Sequence, residues 1–137
     1  MAKSDNSKEA RKRAYFVDVD GTLERKVLGM QMPAESSVQG LRELKREGAL
    51  LYLWSVGGEA HAREAATKCG IESLFECFLP KPHVYIDDKP VKSWKDCERW
   101  KPGKLRKMGK AAKNASRSRG NGSAKDSASK RRGQPRR

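Results

Sequence analysis

The sequence predicts an α/β fold, a small parallel sheet flanked by helices, on two observations. Short apolar runs of strand length alternate with segments of helical period, the pattern of strands joined by covering helices. The runs also stop at polar turns rich in Gly, Asp and Ser, which is how strands end in such sheets.

Ala14-Tyr15-Phe16-Val17-Asp18-Val19 is β-branched and aromatic and stops at Asp20-Gly21-Thr22, so it reads as the first strand. From Pro33 to Glu47, Val38, Leu41 and Leu44 recur at three-residue spacing and Gly48 follows, which predicts a helix lying on the sheet. Ala49-Leu50-Leu51-Tyr52-Leu53-Trp54 is continuously apolar, as expected of a strand buried on both faces, with Ser55 at its end before Gly57-Gly58. Glu59 to Cys69 reads as a second helix, acidic at its start, basic at Lys68 and closed by Gly70. Phe75 to Leu79 predicts a third strand and Val84-Tyr85-Ile86 a fourth, with only Pro80-Lys81-Pro82-His83 between them. A short helix is expected between Pro90 and Trp100, covering an edge.

Of the formal charge of +14, residues 1–13 carry +3, residues 14–100 carry −2 and residues 101–137 carry +13. The sequence therefore divides into a flexible basic N-terminus (1–13), an α/β core (14–100) and a Lys/Arg-rich tail (101–137). The tail's only large apolar side chains are Leu105 and Met108, too few to offset the entropy of ordering, so it is expected to be disordered. It reads either as a solubilising terminus or as a counterion-releasing contact with nucleic acid or another polyanion. Three cysteines without a C-x-x-C pair suggest neither a disulfide framework nor a four-ligand zinc site and fit a reducing cytoplasm. No run reaches membrane-spanning length and the first residues lack the apolar stretch of a leader, so no membrane association is expected.

In open parallel sheets ligands bind outside the carboxyl ends of the strands. Asp18, Asp20 and Thr22, Ser55, and Asp87 with Asp88 are all expected there. Four carboxylates at one edge repel unless a cation neutralises them, and an all-oxygen set suits Mg²⁺.

Asp18-Val19-Asp20-Gly21-Thr22, an apolar run ending in Ser55, Lys81, and Val84-Tyr85-Ile86-Asp87-Asp88 together resemble the four ordered motifs of the haloacid dehalogenase superfamily, mostly phosphatases. The resemblance covers Phe16 to Pro90, and its first motif matches from Phe16 through Leu23. It implies a compact Rossmannoid core and a phosphoric monoester hydrolase. Asp18 would attack phosphorus and Asp20 would serve as acid and base. Gly21 and Thr22 would shape the phosphate-binding turn, and Ser55 would donate to a phosphoryl oxygen. Lys81 would balance transition-state charge, with Lys89 as its substitute. Asp18, Asp20, Asp88 and, beside it, Asp87 would hold Mg²⁺. Fully extended, Lys81 and Asp87 would stand about 20 Å apart, so the Pro80-Lys81-Pro82 turn is expected to fold back. His61 and His83 read as surface or capping residues, and Trp54, Trp94 and Trp100 as core or edge-covering residues.

The ten or so residues between Leu23 and Pro33 fit an ordinary loop and leave no room for a cap domain. An open site beside a basic tail suggests a polyanionic or nucleic-acid phosphate ester as substrate. The alternatives are a phosphatase for a small sugar or nucleotide phosphate with an incidental tail, and a non-catalytic nucleic-acid-binding protein on the same scaffold. So small a core buries proportionately little surface, and metal or a partner subunit would add to its stability.

Overall fold

The computed structural model describes residues 12–129, with side chains from 12 to 118. The flexible segment expected over 1–13 lies almost wholly outside the described residues, as do 130–137. In chain order the elements are β1 (Ala14–Asp18), β2 (Glu24–Val27), β3 (Met30–Pro33), α1 (Glu35–Arg46), β4 (Leu50–Ser55), α2 (Glu59–Lys68), β5 (Phe75–Pro80) and α3 (Pro102–Ser129).

Three strands form a parallel sheet in the order β1-β4-β5. Tyr15 and Val17 of β1 stand opposite Leu51 and Leu53 of β4, and this side of the sheet meets the helices. Val38, Leu41 and Leu44 of α1 and the small Ala62, Ala65 and Ala66 of α2 close the same core, with Leu23 and Ile71 fully buried in it. Each large apolar side chain so buried contributes about 1.5–3 kcal/mol.

The opposite side of the sheet carries Phe16, Tyr52 and Trp54, whose rings pack on one another at 4.9 and 5.0 Å. Phe16 remains 49% exposed, so β4 is not the strand buried on both faces that its apolar run predicts.

The fourth strand does not form: Val84 and Ile86 are exposed in a loop. The reason is topological. β5 ends at Pro80 on the carboxyl edge, and a further parallel strand must restart from the opposite edge, a return of a dozen residues or more. Lys81, Pro82 and His83 cannot span it. Between Pro90 and Trp100 the helix is a single 3-10 turn, Val91–Ser93.

The loop expected between Leu23 and Pro33 is instead the antiparallel hairpin β2-β3. Leu28 and Gly29 at its tip both have positive φ (53° and 77°), as a two-residue primed turn requires. Leu28 is 99% exposed there.

The expected disordered tail is a helix over the described part of 101–137. α3 packs antiparallel on α1, with Leu105 and Gly109 buried in the contact. Two glycines permit it. A Cβ on Gly40 would stand 2.5 Å from the Leu105 carbonyl oxygen, and one on Gly109 would collide with the Ser36 carbonyl. The two backbones therefore approach closely enough for Leu105 and Met108 to suffice as the apolar contribution of α3.

Two outcomes follow from this packing. Gly109→Ala should destabilise the protein by about 1–3 kcal/mol by forcing the helices apart, measured by denaturant unfolding. Leu28→Asn, which places a residue tolerant of left-handed backbone at the hairpin tip, should stabilise it by about 1 kcal/mol, read as a higher Tm.

Candidate active site

Parallel pairing delivers the ends of β1, β4 and β5 to one edge. Asp18 is the last residue of β1 and stands opposite Trp54, Ser55 ends β4 opposite Pro80, and Lys81 follows β5 directly. The Lys81 side chain reaches past the end of the central strand to Asp18, Nζ to Oδ1 3.1 Å. Its own backbone N–H donates to the Ser55 carbonyl at 2.9 Å, which fixes where the side chain starts. Both partners are about two-thirds covered, 30% exposed for Asp18 and 35% for Lys81, so the pair is open to solvent on one side.

After Asp18 the chain turns sharply. The Val19 carbonyl accepts from the N–H groups of Thr22, Leu23 and Glu24, and the Gly21 N–H donates to the Glu24 carbonyl. Gly21 sits at φ +81°, a conformation that penalises any side chain. This turn leaves Asp20 half-exposed at the surface. Thr22 contributes its backbone N–H to the turn.

Ser55 is at the expected strand end but is fully buried. Its Oγ accepts from the Gly57 N–H at 3.0 Å, so its observed task is internal, holding the Gly57-Gly58 entry to α2.

Asp87 and Asp88 are not brought to the edge. They lie in the exposed loop left by the missing fourth strand, where Asp87 Oδ1 accepts from the Lys89 N–H at 2.9 Å. That hydrogen bond first, with smaller help from Asp88 and Trp94, holds the Asp87 carboxyl below the usual aspartate range. Of the two lysines, Lys81 is the one that follows a strand end and pairs with Asp18. Among the described residues no group of three or more His, Cys, Asp or Glu is arranged to hold a metal ion. The four carboxylates expected to share one cation are therefore not grouped together among the described residues. Two carboxylates are still an ordinary protein contribution for Mg²⁺, which completes its shell with water and substrate phosphate oxygens.

Two residues at the site escaped the sequence reading. His61, read as a surface residue, lies in the first turn of α2 with Nε2 3.7 Å from Asp20 Oδ1, and that nitrogen is covered without a hydrogen-bond partner among the described residues. The signal was its place on the helix that follows Ser55, because the start of such a helix faces the carboxyl edge of the sheet. Arg106 of α3 donates from Nη2 to the Gly21 carbonyl at 2.9 Å and from Nε to Ser37 Oγ at 3.3 Å, bracing the turn after Asp20. No sequence signal marked it, since it falls in a stretch read as unpacked.

At this edge the Asp18 and Asp20 side chains are open to solvent. A depression of about 580 Å³ lies elsewhere, on the outer side of α2 between Glu59 and Lys68, and none of Asp18, Asp20 or Lys81 lines it.

No protein-family model matches the chain, and neither the curated proteins nor the solved structures include a significant match. No described helix is long and apolar enough to cross a membrane.

The Asp87 hydrogen bond gives a pH test. A carboxyl held low in the folded state adds stability above its unfolded pKa and loses it as pH falls through the folded value. Lys89→Pro removes the donating N–H, so the Asp87 titration should move upward in a carbon NMR pH series.

Proposed function

We propose that this chain is a phosphohydrolase of the haloacid dehalogenase type, working through an aspartyl-phosphate on Asp18. The observation that supports it most is the Asp18 and Lys81 pair at 3.1 Å. A nucleophile from one edge strand meets a cation from the other, across the end of the strand between them. In a free site the lysine neutralises Asp18, and an incoming phosphate monoester competes for the same ammonium.

In the proposed reaction an Asp18 oxygen forms a bond to phosphorus as the bond to the leaving oxygen breaks. Asp20, protonated, gives its proton to that oxygen. Water then attacks the acyl phosphate, Asp20 takes the proton, and inorganic phosphate leaves with the Asp18 carboxylate restored. Lys81 offsets charge developing on the phosphoryl oxygens, and Arg106 braces the turn at Gly21 that carries Asp20. The Asp18 carboxylate, with Asp20 beside it, would hold Mg²⁺, whose contribution would be charge neutralisation on the phosphate.

One observation favours a second reading, a non-catalytic nucleic-acid-binding protein on this scaffold: Asp87 and Asp88 stand apart from Asp18 and Asp20.

Phosphate release from a generic aryl phosphate separates the two. The phosphohydrolase reading expects release that requires Mg²⁺, falls to background in Asp18→Asn, and drops about 10²–10⁴-fold in Asp20→Asn. A folded wild type that releases nothing with Mg²⁺ present would support the binding reading.

A further inference from the structure

α3 lies beside the candidate site and carries much of the chain's positive charge. Arg106, Lys110, Lys113 and Arg117 recur at spacings of four, three and four residues, which places them along one side of the helix. At 1.5 Å per residue this stripe is about 16 Å long. Its first member touches the turn after Asp20 through the Gly21 carbonyl. Its third, Lys113, pairs with Glu35 at the start of α1, Nζ to Oε1 3.0 Å. Because α1 starts on the carboxyl side of the sheet, α3 continues from Lys113 past that edge to Ser129, about 24 Å further at the same rise. Lys110 and Arg117 are exposed and have no ion pair among the described residues.

The apolar side of this helix is already occupied. Leu105, Met108 and Gly109 face α1 and the core, which leaves no apolar stripe to enter a lipid interface. What remains is a row of cations starting at the reacting end of the sheet. Its length is enough to follow a short run of successive phosphates along one strand.

We infer that α3 is a nucleic-acid-binding ramp: a strand lies along Arg106, Lys110, Lys113 and Arg117 with its phosphorylated end at Asp18. The substrate class is then the terminal phosphate monoester of an oligonucleotide. The delivery of that end to Asp18 rests on the phosphohydrolase reading, whereas the binding surface does not.

The test uses the full chain and a labelled, terminally phosphorylated single-stranded oligonucleotide. Binding is followed by fluorescence anisotropy across a salt series, and phosphate release is compared with that from an aryl phosphate. The double variant Lys110→Gln with Arg117→Gln touches neither the core nor the turn. It should weaken oligonucleotide binding about tenfold at moderate salt and reduce the slope of log K against log salt by about 1.4, at roughly 0.7 per phosphate contact. kcat/KM on the oligonucleotide should fall in step while that on the aryl phosphate is unchanged. Lys110→Arg with Arg117→Lys, which preserves charge, should behave as wild type. Unchanged affinity and slope in the neutral variant would overturn the ramp, as would salt-independent binding. Stripe-dependent binding with aryl phosphate release but none from the oligonucleotide would overturn delivery to Asp18. Stripe-dependent binding with no release from either substrate would instead sink the phosphohydrolase reading and uphold the surface alone.

Discussion

Everything at the candidate site depends on the parallel register of three strands. Because β1, β4 and β5 run the same way, their carboxyl ends share one edge, and residues distant in the chain become neighbours there. Antiparallel pairing of any one strand would send its terminal residue to the far side of the core. The same constraint explains what is missing. Once β5 has delivered Lys81 to that edge, the next three residues cannot carry the chain back for another parallel strand, so Asp87 and Asp88 remain in an outer loop.

The second constraint is the close antiparallel contact between α1 and α3. Gly40 and Gly109 remove the side chains that would hold the helices apart, and the contact seats Arg106 where it can reach the Gly21 carbonyl. A segment poor in apolar residues thus becomes part of the fold through backbone proximity. This links a basic helix mechanically to the turn that carries Asp20, and any loosening of the helix pair would be felt at that turn.

Elements whose stability is local were legible in the sequence. β1, α1, β4, α2 and β5 follow from apolar periodicity and from Gly punctuation within a residue or two, and Asp18, Asp20 and the edge position of Ser55 follow from where those strands stop. Features decided by non-local geometry were not legible. Val84 to Ile86 has strand composition, but chain length to the next edge decides against it. α3 was hidden because its stabilisation comes from glycines, which register in composition as disorder-promoting, and not from apolar side chains. The hairpin β2-β3 lacks the usual Asn-Gly or Asp-Gly turn, having Leu28-Gly29 instead. His61 needed the orientation of α2, and the burial of Ser55 needed the loop that closes over it.

The proposed reaction requires Asp18 to be a nucleophile and not merely the partner of Lys81. The direct measurement is rapid acid quench of the full chain during turnover of a phosphate monoester with Mg²⁺, followed by peptide mass spectrometry. An aspartyl-phosphate mechanism gives a phosphoryl adduct on the peptide bearing Asp18, absent when Asp18 is replaced by Asn. Phosphate release without any adduct, or with an adduct on another residue, would contradict it.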